Sequence, residues 1–305
     1  MISFRYYVVT LVAVFLALAV GILMGTTLLD PGLVNDLNRR VTDLKKTVSD
    51  YQLEISDQQA RLATLNKLVS ATLPQLVQGR LVAEPVVMVV DSTVDPSALD
   101  GARKAFLGAG ASYVGVLSVQ PRMSLPDQAS RTQIAQILGV GSSTAPADLI
   151  AGAARALGAR LNQTPVPGDT QDMISRLIDA RFLQAAEFPR GDVQAVGGPG
   201  VAVVVVSGGA DPPAVDPGAF CLPLVGALVD AQQPVVAAEP MKTAASFVSL
   251  IRDDGALDGQ MITVDDFDQV AGQVAMVFGL ANLVANPGRG GDYGVKDGVP
   301  LLPAS

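Results

Sequence analysis

The sequence predicts an α/β fold: a mostly parallel sheet covered by helices on both faces, preceded by an N-terminal transmembrane helix and a coiled coil. Three observations predict it. Residues 8–29 carry no charge over 22 positions. A heptad repeat begins at Val34. Beyond residue 80, short Val-rich runs alternate with stretches of helical period. The expected divisions are an anchor at 1–30, a coiled coil at 31–73, an α/β domain at 81–286 and a flexible tail at 287–305.

The uncharged run is long enough for an α-helix to cross a bilayer core of roughly 30 Å. It exceeds the roughly 7 to 15 apolar residues of a cleaved signal peptide, and no A-x-A site ends it, so a retained anchor is expected. Arg5 precedes the run, and Tyr6 and Tyr7 suit the membrane interface. The first basic residues after it are Arg39 and Arg40, which favours a cytoplasmic N-terminus and an extracytoplasmic bulk, in a single-pass cell-membrane protein. Ala13, Ala17, Gly21 and Gly25 recur every four residues. That stripe suits close packing of membrane helices, although Ala and Gly are common in such helices anyway.

With Val34 at position a, the a series is Val34, Val41, Val48, Ile55, Leu62 and Val69. The d series is Leu37, Leu44, Tyr51, Gln58, Leu65 and Thr72. β-Branched residues at a with Leu dominant at d favour a parallel two-stranded coil, hence a parallel homodimer, with Gln58 helping to fix register. One amphipathic helix packed on its own domain is the alternative. Pro74 is expected to stop the helix. About 40 residues at ~1.5 Å each make a rod near 60 Å.

Composition divides at the same place. Residues 1–80 hold 8 basic and 6 acidic side chains, and the remainder holds 13 basic and 23 acidic. The acidic remainder argues against a nucleic-acid partner. A single cysteine, Cys221, excludes an internal disulfide framework, and its apolar surroundings suit a buried thiol more than a reactive one.

Buried strands are expected at Pro85–Val90, Tyr113–Val119, Val201–Val206, Val235–Ala238 and Met261–Val264. Helices are expected near 96–109, 127–138, 146–161, 170–186, 218–231, 243–253 and 268–286. Val-rich strands separated by helices imply a parallel sheet covered on both faces.

A ligand of such a sheet sits beyond the carboxyl ends of its strands. Those ends offer Asp91, Ser207-Gly208-Gly209-Ala210-Asp211, Glu239, Asp265 and Asp266. Asp91, Glu239, Asp265 and Asp266 are weak metal or catalytic candidates; turn and capping roles are the competing reading. The glycines match neither a dinucleotide fingerprint nor a P-loop. The chain has no histidine, which excludes a Ser-His-Asp site or a His-ligated zinc within it. Met1, Met24, Met88, Met123, Met173, Met241, Met261 and Met276 form no M-x-x-M cluster, so no copper cage is visible. No catalytic or cofactor-binding residue is assigned, and an enzyme is not expected.

The opening MISFRYYVVTLVAVFLALAVGILMGTTLL, the heptads, VVVVSGGA at 203–210, TVDDFD at 263–268 and Asp292-Tyr293-Gly294 resemble the actinobacterial family named for mycobacterial copper transport protein B. The resemblance spans nearly the whole chain. It implies a role in copper efflux and copper homeostasis, with copper the only cofactor suggested, and some members are described as outer-membrane pore proteins. Tyr7 stands where the family's opening has His, so the resemblance brings no metal ligand to that position. Outer-membrane channels are built from alternating strands of about 10 residues, and one helix encloses no channel, so the pattern disfavours an outer-membrane pore. The resemblance also permits a second role: a dimeric coiled-coil envelope scaffold that regulates a cell-wall hydrolase or a cell-separation partner.

Overall fold

The structure, a computed structural model, describes residues 4–27, 31–141, 143–166, 168–169, 171–186, 188, 196–209 and 212–303. Met1, Ala210 and Asp211, named above, lie outside the described residues. The chain divides into two units, Met1–Asn66 and Lys67–Ser305.

The first unit is helical. Helix α1 spans Phe4–Thr27, and within it Tyr6–Gly25 is long and apolar enough to cross a membrane. Ala13, Ala17, Gly21 and Gly25 lie along one side at i, i+4 spacing. Helix α2 spans Pro31–Val77. Its heptad side chains from Leu37 to Val69 are exposed: Leu37 is 63% exposed, Val48 52%, Ile55 53% and Leu62 60%. Two i, i+4 ion pairs, Arg40–Asp36 and Arg61–Asp57, lie on its surface.

Pro74 does not stop α2, contrary to the sequence expectation. Proline removes one helical hydrogen bond and crowds the preceding turn. The last turn persists because Leu73 and Val77, four residues apart on one side, are both buried in the core of the second unit.

In that unit β1 (Pro85–Asp91), α3 (Pro96–Gly108) and β2 (Ser112–Val119) follow in order. Helices α4 (Gln128–Leu138), α5 (Pro146–Leu161) and α6 (Met173–Asp179) lead to β3 (Leu183–Ala186). Then come β4 (Ala202–Val206), α7 (Cys221–Asp230), β5 (Val235–Ala238), α8 (Phe247–Arg252), β6 (Ile262–Val264), α9 (Val270–Ala285) and β7 (Gly291–Tyr293). Among the described residues the sheet order is β3-β2-β1-β4-β5-β6-β7, and only the β2–β3 pair is antiparallel.

Side chains of a strand alternate between the two faces of its sheet. Val86, Met88 and Val90 of β1 pack with α3 and α9, through Phe106, Val277 and Leu280. Val87 and Val89 pack on the other face in a cluster that holds Leu157, Leu177, Leu224 and Ile251 of α5 to α8. Both faces are therefore covered, which explains why the strands read as continuous apolar runs.

Two stretches differ from expectation. The helix expected at 170–186 stops at Asp179, because Arg181 adopts a left-handed backbone (φ 60°) and Phe182 is drawn into the core. The chain then pairs with β2 as β3. The tail expected to be flexible at 287–305 instead supplies β7, which pairs with β6 through Ile262, Thr263 and Val264. Gly290 and Gly291 allow this close approach: their amides donate to Gly259 and Met261 carbonyls at 2.7 and 2.9 Å. A side chain at Gly290 would collide with the Met261 backbone.

Candidate functional site

The strand order reverses between β1 and β4: the chain moves outward through β2 on one side and through β5, β6 and β7 on the other. Loops part at such a reversal and leave a crevice beyond the carboxyl ends of the strands. A cavity of about 460 Å³ lies there. The turn into α3 (Thr93, Asp95, Ser97), Gly209 after β4, Lys242 after β5, and Asp268 and Gln273 at the start of α9 line it.

All four candidate carboxylates reach this end of the sheet, but three are engaged by the protein itself. Asp91, 2% exposed, accepts from the Thr93 amide (2.9 Å) and hydroxyl (2.6 Å) and from the Ala214 amide (2.9 Å). It thereby pins the segment after β4 to the end of β1. Glu239, fully buried, accepts from Ser246 Oγ (2.9 Å), the amides of Phe247 (2.6 Å) and Val248 (2.9 Å), and Lys296 Nζ (2.6 Å). Asp265, also fully buried, accepts from Arg252 Nη1 (2.7 Å) and the amides of Val295 (2.7 Å) and Lys296 (3.2 Å). Such carboxylates act as anchors, each compensated by amides or a cation.

Asp266 differs. It is 1% exposed, and its Oδ1 has no hydrogen-bond partner among the described residues. Burial pushes its carboxyl up to about 6, with Asp265 and Asp268 adding to the rise and Arg252 and Lys296 opposing it. A side chain at Gly272 would strike Asp266, so α9 begins directly against this residue.

Among the described residues, no three His, Cys, Asp or Glu side chains converge to hold a metal ion. Soft Cu(I) prefers thiolate or thioether ligands. Cys221 is buried, and desolvation pushes its thiol up to about 12, in keeping with an inert core residue. Met88, Met123, Met261 and Met276 are core side chains, each at most 1% exposed. These core side chains do not form a copper cage.

Sequence reasoning missed Arg252, Lys296, Lys242 and Gln273. The two first-named cations meet their carboxylates across 13 and 57 residues, with no local signal. Gln273 had one: it is a polar residue in an otherwise apolar stretch of α9, VAGQVAMVFGLA. A second cavity, about 360 Å³, opens at the amino ends of the strands beside Glu84, Gln233 and Pro234. Burial raises the Glu84 carboxyl there.

Comparison with known proteins adds one match. A family model described as "Copper transport outer membrane protein, MctB" covers residues 1–303. No curated protein matches the chain.

Proposed function

The chain belongs to the MctB family of copper transport outer membrane proteins, and from that premise we propose that it serves copper efflux and homeostasis as an anchored, self-associating envelope component. The match across residues 1–303 carries this reading, because it takes in the apolar helix, the heptads and the α/β domain together. Copper is cargo here, and a partner protein supplies its path. In this reading the chain contributes no catalytic step, which is supported by the bonds that engage Asp91, Glu239 and Asp265 within the domain.

In this reading α1 anchors the protein in a cell membrane with the bulk outside, and the stripe Ala13, Ala17, Gly21 and Gly25 packs against a second α1. Helix α2 pairs in parallel with its copy through Val34, Leu37, Val41, Leu44, Val48, Tyr51, Ile55, Gln58, Leu62, Leu65 and Val69. Support for the pairing comes from the exposure of this seam, with Leu44 63% and Leu65 56% exposed in the single chain.

The test is cell-associated copper under copper load, in a deletion strain and its complemented control. Excess copper in the deletion strain supports efflux, and equal copper in both removes it.

The exposed seam favours a second reading, a dimeric scaffold that regulates a cell-wall hydrolase or cell-separation partner. Val48→Asp with Ile55→Asp separates the possibilities. Burying those two half-exposed side chains in both partners contributes about 4 kcal/mol, from roughly 1 kcal/mol per side chain. Dimer affinity should fall about a thousandfold. Copper levels that return to normal on complementation with this monomeric variant would refute any role for pairing in efflux. A division defect confined to that variant would support the scaffold.

A further inference from the structure

We propose that the crevice at the carboxyl ends of β1, β4 and β5 binds a small molecule carrying an amide beside a carboxylate, such as a short peptide end or an N-acylated amino acid. Such binding is independent of the copper reading.

Gln273 carries this inference. Its side chain is 6% exposed, lines the cavity, and makes no hydrogen bond to any described residue. A side chain at Gly101 would run into its Nε2, so the amide packs closely against α3. Its amide atoms are not among the fully enclosed polar atoms that lack a partner, so solvent reaches them in the crevice and a ligand amide would take the place of water there. A carboxamide presents one acceptor and two donor hydrogens in one plane. Its closest complement is another amide, which returns a donor to the oxygen and an acceptor to the nitrogen.

Charge selects the second feature. Lys242 stands exposed at the rim and forms no ion pair with a described carboxylate. Two carboxylates also line the cavity, both already engaged. Asp95 accepts from the Ser97 amide at 2.8 Å, and Asp268 accepts from the Met241 amide at 2.7 Å. Their charge disfavours a phosphate-like dianion. The start of α3 offers no vacant anion site either, because the amides of Ala98 and Leu99 donate to the Asp95 carbonyl at 3.1 and 3.2 Å. A single carboxylate directed at Lys242, with its amide on Gln273, satisfies both groups. The volume of about 460 Å³ lies within the roughly 300–1,000 Å³ of ordinary ligand pockets.

The test uses the purified full chain in detergent micelles, with glutamine side chains labelled with nitrogen-15. It is titrated with N-acetylglycine, and with acetamide and acetate as single-feature controls. The expected result is saturable binding of N-acetylglycine that shifts the Gln273 amide signal and leaves Gln233, at the opposite cavity, unmoved. Gln273→Leu should weaken binding about tenfold. Lys242→Met, an exposed substitution that leaves the fold intact, should weaken N-acetylglycine about threefold in low salt and leave acetamide unchanged. Absence of saturation, a shift at Gln233 alone, or equal affinity in wild type and both variants would overturn the proposal.

Discussion

Arg252→Met removes the cation that joins α8, β6 and the segment after β7. The Arg252 side chain is 9% exposed, and its partner Asp265 is fully buried. Besides Asp265 at 2.7 Å, the guanidinium donates to Thr263 Oγ1, the Tyr293 carbonyl and Asp297 Oδ2, each at 3.0 Å. Methionine keeps most of the apolar stem, so the loss is electrostatic. Removing one partner of a buried pair costs about 3–5 kcal/mol. Asp265 retains the Val295 and Lys296 amides, which places the cost near the lower end, about 3 kcal/mol. The Asp297 contact adds little, because Asp297 is 55% exposed and exposed pairs are worth at most ~1 kcal/mol. At ~2–4 °C per kcal/mol for a domain of this size, thermal unfolding should fall by about 6–12 °C. Differential scanning calorimetry of the full chain in detergent reads the change, and limited proteolysis should cut first within residues 291–303. Asp265→Asn added to Arg252→Met should recover much of the loss, because the uncompensated charge is gone. An unchanged midpoint, or a double variant no more stable than the single one, would refute the assignment of Arg252 as the clamp.

Two other substitutions probe the β6–β7 side of the sheet. For Asp266, the folded carboxyl titrates at about 6 against an ordinary value of 3.8, so the folded state holds its proton more tightly than the unfolded chain. Stability therefore falls as pH rises from about 4 to about 6, by up to ~3 kcal/mol at roughly 1.4 kcal/mol for each pH unit between the two values. Asp266→Asn should raise the unfolding free energy at neutral pH and lose its advantage near pH ~4; a gain that stays flat across that range contradicts the burial argument. Gly290→Ala forces a methyl group into the Met261 backbone and should cost about 1–3 kcal/mol, seen as a lower denaturant midpoint at constant slope. A midpoint equal to wild type would mean that β7 tolerates displacement from β6.

Much of the sheet is legible from local pattern because each central strand is an unbroken apolar run. The run at 201–206 becomes β4, Ala202–Val206, and the expected helix at 146–161 is α5. The edges are not legible in this way. Strand β3, Leu-Gln-Ala-Ala, has no β-branched residue and continues a helical period, so pairing with β2 decides its conformation. Strand β7, Gly-Asp-Tyr, sits in a Gly-rich segment and exists through its partner β6. The placement of Asp91, Glu239, Asp265 and Asp266 at the strand ends follows from the strand positions alone. What neutralises them does not, because Arg252 and Lys296 are brought in by tertiary packing, and local periodicity carries no record of such pairs.

The order of the strands also sets a sequence of events for a chain that emerges from its amino end. Strands β4, β5, β6 and β7 add to the sheet one after another in a single direction, each on the edge left by its predecessor. Glu239 is synthesised 57 residues before Lys296, and Asp265 30 residues before the Val295 amide that binds it. During that interval the two carboxylates lack these late partners, and the outer edge of β6 stands open to any extended chain nearby. A nascent domain halted before residue 291 would therefore hold a hydrated, charged rim where the finished one has a closed seam. That passing state is the stage at which a chaperone or protease can distinguish an incomplete copy from a complete one.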